Sequence, residues 1–506
     1  MMRPRPGSPA AGKKRRQMTD ASAATTSPPP PSFATKLAYG FGSVAFGVKD
    51  NGFNYFLLLF YSQVIGVDAR LVGLAITTAL VLDAISDPIV GYWSDNLRSR
   101  LGRRHPFMYA SAIPVAATYF LMWNPPQGWS DEALFVYLLV MAVLIRTFIT
   151  FYETPSSALA PELTEDYDQR SSLLSFRFYF GWTGGNVMSV LMFMALFPMF
   201  VTATIQDGRF NRDAYELYGI IASVLIFIAI MVSAGGTHSR IPHLKPPPPK
   251  RQMSLGTIFK EILETLVNRE FASLFFAALL GAIATGLSAA LAFYFSIYFW
   301  GFTPQQIGWI TVSVFGSAII GSVMAPYITR TLGKKRGAII IGLVAFLGAP
   351  LPVTLKLFGV LPDDPNFNFP IVVLTTMIDT GLIICFQILS SSMLADLVEQ
   401  AELRTGRRSE GLFFAASTFI RKTVQGIGVI AAGFVLSLSG FPTGASPDQV
   451  TDETLWRFGA LYVPTILTIW MAMIAVMATY RLTREGHEDN LRELAKARAA
   501  RAEAGE

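Results

Sequence analysis

Twelve runs of mostly apolar residues, each about 18 residues or longer, dominate this chain. A bilayer core offers no water to backbone N–H and C=O groups. A run of that length is therefore stable there only as a helix that satisfies its own backbone. The fold class that follows is an all-α polytopic membrane protein with twelve transmembrane helices. The runs centre near Gly52, Ala79, Ala116, Val143, Met188 and Val224, then near Gly286, Ser317, Val344, Gly381, Val429 and Met471. Between the two sets lies a polar stretch from His238 to Glu270, with Pro246 to Pro249 followed by an amphipathic piece, Leu255 to Leu266. The predicted organisation is a disordered cytoplasmic tail (1–32), an N-terminal six-helix bundle (33–237), a cytoplasmic central linker with a surface helix (238–270), a C-terminal six-helix bundle (271–483) and a cytoplasmic C-terminal tail (484–506). The basic cluster Lys13 to Arg16 has no apolar run close behind it, so it does not read as a secretory signal. Met18 is an alternative start.

Composition narrows the function. With 52% hydrophobic and 15% charged residues, the chain is too apolar for a soluble two-domain protein. The net charge of +6 is spread over loops between apolar runs and does not form a nucleic-acid face. The single cysteine, Cys385, excludes a disulfide framework and a cysteine-ligated metal, and four histidines are few for a metal enzyme. No nucleophile–base pair or phosphate loop is present, and Gly181 to Gly185 sits inside a run, where it reads as close helix packing. The expectation is a non-enzyme without an organic cofactor. Its partners would be a small-molecule substrate, a coupling cation (Na+ or H+) and the lipid bilayer, and the chain would act as a monomer.

Lysine and arginine in the loops set the orientation. Arg98, Arg100, Arg103 and Arg104 follow run two, the central linker is basic, Arg330 to Arg336 follow run eight, and Arg404, Arg407 and Arg408 follow run ten. The alternate loops hold only Arg70, Arg209, Arg212 and Lys356. Both termini are therefore expected on the cytoplasmic side of a plasma membrane, the inner membrane if the source is bacterial. The halves also echo each other. Arg100-Leu101-Gly102-Arg103-Arg104 follows run two and Thr331-Leu332-Gly333-Lys334-Lys335 follows run eight, as a duplicated six-span unit would place them.

Charges inside the runs carry the chemistry. A carboxylate at the bilayer centre costs roughly 2.5–3.5 kcal/mol on insertion scales. Asp83 and Asp87 lie one helical turn apart in run two, so they share a face. Hard cations take several oxygens, and Asp83, Ser86, Asp87 and Thr150 form a candidate monovalent-cation set. Two plainer readings stand beside it: the acids pair with basic residues inside the protein, and the hydroxyls bond the preceding helical turn. Lys49 and Asp50 in run one are too deep to snorkel easily, and lining a wet cavity or forming an internal ion pair would satisfy them. Run four carries Arg146-Thr147-x-x-Thr150-Phe151-Tyr152-Glu153-Thr154-Pro155, in which Glu153 is a third buried acid and Pro155 frees a carbonyl. Arg170 and Arg177 open run five. Lys422 reaches membrane depth in run eleven, either to meet the acids of runs two and four or to pair within its own half.

The span count, long linker and echoed turn resemble the major facilitator superfamily. Gly91-x-x-x-Asp95 leading into Arg103-Arg104 resembles its loop motif, which implies a cytoplasmic gate in which Gly91, Asp95, Arg103 and Arg104 clamp the halves together. More specific are Tyr39-Gly40-Phe41-Gly42 with Lys49-Asp50, then Asp83-Ala84-x-x-Asp87-Pro88, then Thr405-Gly406-Arg407-Arg408-Ser409-Glu410-Gly411. Together these resemble the glycoside–pentoside–hexuronide:cation symporters, from roughly Lys36 to Thr483. The resemblance implies two pseudo-symmetric six-helix bundles, Asp83 and Asp87 as cation carboxylates beside Thr150, a substrate site of Lys49, Asp50, Glu153 and Arg177, and Lys422 as the basic partner that couples them. The implied function is cation-coupled symport of a small polar solute, a sugar or glycoside, by alternating access. Departures leave the solute open. Ser86 stands where sugar-transporting members often have Asn, Glu153 where they often have Asp, and Ser157 where a stacking tryptophan can lie; Arg177 aligns after a one-residue shift. Sodium-coupled lysophospholipid transport by the same fold and a non-transporting membrane sensor are the alternatives. Lys49-Asp50 favours a polar solute, and intramembrane charges that cost energy without function weigh against the sensor.

Overall fold

The computed structural model describes residues 30–164, 166–244, 269–405 and 410–480, with side chains except at 167, 168, 171, 243 and 395–423. Most of the expected N-terminal tail, Met18, the amphipathic stretch, the C-terminal tail, residues 406–409 of the third motif and the Lys422 side chain lie outside the described residues.

Twelve helical rods make up the described chain, and no strand occurs among the described residues. They are α1 (33–65), α2 (Ala69–Asn96), α3 (His105–Trp123), α4 (Asp131–Leu163), α5 (167–199), α6 (Arg212–His238), α7 (Arg269–Phe299), α8 (Pro304–Leu332), α9 (Lys334–Leu357), α10 (Pro365–Thr405), α11 (Glu410–Leu438) and α12 (Asp452–Ala478). Nine are long and apolar enough to cross a bilayer, and α11 contributes the shorter apolar segment Val424–Leu438. The rods form the two six-helix bundles expected from the span count.

Local sequence explains where the rods begin. Asp68 caps α2 by accepting from the Arg70 N–H, and Ser130 caps α4 by accepting from the Ala133 N–H. Asp131 and Glu132 then sit in the first turn of α4, and Asp452 and Glu453 in that of α12, where carboxylates favour the positive end of the helix dipole. Thr303 and Gln306 close a full capping box on α8. The repeated basic turn is repeated in backbone geometry as well. Gly102 (φ 71°) and Gly333 (φ 75°) both take positive φ, which costs glycine nothing. The first rod of each half also ends alike: π-helical turns at Phe60–Ile65 and Phe295–Phe299 run out at Gly66 and Gly301, again with positive φ.

Close approach of α1 and α5 sets the depth of the charged residues. A Cβ on Gly47 would lie 1.9 Å from the Gly181 carbonyl oxygen, so only glycine fits there. The glycine-rich piece of run five is therefore a packing surface, as read from the sequence.

Between halves, α1 meets α7, α2 meets α11 and α5 meets α8. Phe56 and Phe293 have ring centroids 4.8 Å apart, Thr77 Oγ1 donates to the Gly426 carbonyl at 2.7 Å, and Trp182 sits edge-on to Phe315 at 5.0 Å. Towards the Gly66 end, Gln63 Nε2 donates to Tyr294 Oη at 3.4 Å, and its Oε1 accepts from the Ala445 N–H at 3.2 Å. Arg209, paired with Asp207 at 2.6 Å, gives Nη1 to the Phe302 carbonyl at 2.7 Å. These bonds stitch the halves together from mid-depth to that face.

Candidate functional site

The charged residues of α1, α2 and α4 converge in the middle of the first bundle, in two adjoining groups. The first joins α1 to α4. Lys49 is 1% exposed, and its Nζ lies 2.8 Å from Asp50 Oδ1 and 3.8 Å from Glu153 Oε2. The flexible lysine stem folds back to its neighbour, although the two Cβ atoms diverge by about 100° around the helix. The two carboxylates are more open: the Asp50 side chain is 46% exposed and that of Glu153 26%. The two acids thus form a polar wall of accessible acceptors, with the ammonium group behind them.

Arg177 of α5 joins this wall by a different route. Its Nη1 donates to Ser156 Oγ at 3.0 Å and its Nη2 to Ser157 Oγ at 2.7 Å. Both serine hydroxyls in turn donate to the Glu153 carbonyl, at 3.1 and 2.7 Å. Pro155 explains why the turn is adaptable, since it has no N–H to give the helix. The guanidinium also lies 4.8 Å over the Phe46 ring. Arg177 is thus fixed to the Glu153 turn, and Ser157 serves as its acceptor.

The second group joins α2 to α4. Asp83, 1% exposed, accepts from Thr150 Oγ1 at 3.0 Å through Oδ1, and its Oδ2 lies 3.2 Å from Arg146 Nη1. Thr150 Oγ1 is also 3.2 Å from Asp87 Oδ1 and 2.9 Å from the Arg146 carbonyl. Thr150 Oγ1 therefore stands between the two acids. Ser86 does not join them: its hydroxyl donates to the Asp83 backbone carbonyl at 2.9 Å, the plainer of its two readings. Arg146, given no role from the sequence, is the pairing partner of Asp83, and Phe53 of α1 packs 4.6 Å beneath its guanidinium. Its signal was present in the sequence: an arginine one turn before Thr150 in an otherwise apolar run. Lys422 lies on α11, which packs against α2; its side chain is outside the described residues.

The third group lies at the Arg104 end. Glu162, 8% exposed, receives Arg103 Nη2 at 2.7 Å and Arg104 Nε at 3.1 Å. Arg104 also reaches Ser94 Oγ at 2.8 Å and Asp95 Oδ1 at 2.5 Å. Gly91 faces the Thr154 methyl on α4. These bonds tie α2, the α2–α3 turn and α4 to one another inside the first half. Glu162, a buried acid on the same bundle to which the sequence reading gave no role, thus gathers both arginines of the motif. Among the described residues, no group of three or more His, Cys, Asp or Glu side chains could hold a metal ion.

Twelve helical rods in two bundles, nine of them long and apolar enough to cross a bilayer, have the build of a multi-pass membrane protein, and the relatives make it a transporter rather than an enzyme. The family model described as MFS/sugar transport protein matches residues 38–484, and the chain belongs to that family. Among the relatives is an uncharacterized symporter of Synechocystis, 26% identical over 90% of this chain and 95% of its own. The inner membrane symporter YicJ of Escherichia coli is 24% identical over 92% of this chain and 95% of its own. An isoprimeverose transporter of Lactiplantibacillus pentosus is 22% identical over 81% of each. Solved structures share the fold. A variant of the nucleoside transporter NupG superposes with TM-score 0.59 at 15% identity, over 87% of this chain and 99% of its own. A D-xylose-proton symporter gives 0.55 at 14% identity, over 87% and 97%. The expected class, a symporter-type member of the major facilitator superfamily resembling the glycoside:cation symporters, is borne out.

Proposed function

We propose that this chain is a cation-coupled symporter of a small polar solute, a sugar or glycoside, working by alternating access in a plasma membrane. The carrying observation is the Lys49–Asp50–Glu153 group. Two partly exposed carboxylates, with a buried ammonium group behind them, offer acceptors to the hydroxyls of a polar solute. Lys49, Asp50, Glu153 and Arg177 form the substrate site in this reading. Asp83, Asp87 and Thr150, one helix away, form the cation-responsive site, and Lys422 of α11 links it to the second half. The name of the isoprimeverose transporter supports a sugar, and the printed names of other relatives support symport.

The bundles, proposed as 33–237 and 271–483 with 238–270 between them, rock about the shared site. Both termini and the Arg104 end face the cytoplasm, consistent with the basic loops. The bonds of Gln63 and Arg209 across the halves then lie on the external face. The test is uptake into proteoliposomes from a labelled panel of sugars and lysophospholipids, with sodium and pH gradients imposed separately. Gradient-driven accumulation of a sugar supports the reading. Accumulation of a lysophospholipid alone, or of no solute under either gradient, overturns it.

A further inference from the structure

Asp83 is the most buried acid of the proposed cation-responsive site, and its charge is already answered. Arg146 Nη1 stands 3.2 Å from Asp83 Oδ2, with the two side chains 4% and 1% exposed. The guanidinium rests on the Phe53 ring at 4.6 Å, and its Nε has no hydrogen-bond partner. A group that gave up such a bond while buried is held by its charge and its packing, not by a full set of hydrogen bonds. Arginine keeps its proton under all conditions a protein meets. The positive charge on Asp83 is therefore permanent and covalently tethered.

We propose that Arg146 is the cation that Asp83 binds: its guanidinium takes the place an alkali ion would occupy and makes transport by this chain independent of sodium. The oxygens left nearby support this. Asp83 Oδ2 is taken by Arg146, and the Ser86 hydroxyl is turned into its own helix at 2.9 Å. Asp83 Oδ1 and Asp87 Oδ1 both meet Thr150 Oγ1, at 3.0 and 3.2 Å. A hard cation entering there would stand beside a fixed like charge in a poorly solvated place. The charged residues on the elements packed against this stretch of α2 are Lys49 and Asp50 on α1 and Arg146 and Glu153 on α4. On α11 they are Arg421 and Lys422, whose side chains are outside the described residues.

The inference rests on the symport reading, so its test needs no substrate. Purified protein is melted in detergent with either sodium chloride or choline chloride at equal ionic strength. The parent is expected to melt at the same temperature in both. Arg146→Gln and Arg146→Ala, which take the tethered charge away from Asp83, are expected to gain about 2 °C in 100 mM sodium, a gain absent in Asp83→Asn/Arg146→Gln. Arg146→Lys keeps the tethered charge and should stay insensitive. A sodium-induced rise in the parent that disappears in Asp83→Asn overturns the proposal. So does a folded, monodisperse Arg146→Gln that ignores sodium as the parent does. If neither Arg146→Gln nor Arg146→Ala folds, the parent's own response decides: sodium-induced stabilisation or 22Na+ binding overturns the proposal, and insensitivity supports it. Failure of the symport reading would look different: no solute would accumulate under any gradient, whatever the melting curves show.

Discussion

Replacing Glu162 by glutamine should destabilise the first bundle more than replacing either arginine that it holds. The carboxylate accepts from Arg103 at 2.7 Å and from Arg104 at 3.1 Å, and the arginine side chains are only 10% and 6% exposed. Removing one partner of a buried ion pair typically costs about 3–5 kcal/mol, because the other charge stays buried without its counter-ion. Here two guanidinium groups lose the same acid. Arg104 retains Asp95 at 2.5 Å and Ser94 at 2.8 Å, so the loss falls mainly on Arg103. The net cost for Glu162→Gln is then about 3 kcal/mol, or a fall of roughly 3 °C in melting temperature for a chain of this size. Arg103→Ala leaves Glu162 with Arg104 and should cost about half as much. Tryptophan fluorescence during thermal unfolding of the purified protein reads both, and the double variant closes the cycle. A Glu162→Gln protein that melts within a degree of the parent refutes the claim that this acid holds the α2–α3 turn to α4.

Asp50→Ala should weaken substrate binding about tenfold or more, and should also lower the melting temperature, because buried Lys49 is left with Glu153 at 3.8 Å. Equal affinity by calorimetry removes Asp50 from the substrate site. Asp83→Asn strands the buried Arg146 charge and should lower the yield of monodisperse protein, whereas Asp83→Asn combined with Arg146→Gln should recover it. No recovery in the double variant means the pair is not the reason for the loss. For topology, cysteines at Ser99 and Thr204, in a background lacking Cys385, should divide: in intact cells an impermeant thiol reagent should label position 204 and spare position 99. Both positions are on surface loops. Labelling at 99 alone inverts the proposed orientation.

What the chain discloses before folding follows from the solvent it is built for. Hydrocarbon forbids unpaired backbone, so twelve apolar runs translate directly into rods. The twin Leu-Gly-basic turns carry their meaning in one residue each, since a positive φ after a long helix calls for glycine. Charges at membrane depth were equally visible, because each is costly wherever it points. Their partners were not. Arg103 and Arg104 read as part of a latch between halves, and both turn to Glu162, nearly sixty positions on and just past Pro161. Arg146 and Asp83 stand on different helices, 63 positions apart. No spacing rule reaches across that separation, and only the packing of α2 on α4 brings them together. The carboxylate pair Asp83 and Asp87 reads from sequence as a vacancy for a cation. Seen with α4 beside it, half of that vacancy is filled by a side chain from the same fold. On the proposal made above, the ion dependence of transport then turns on Arg146 rather than on the two acids alone.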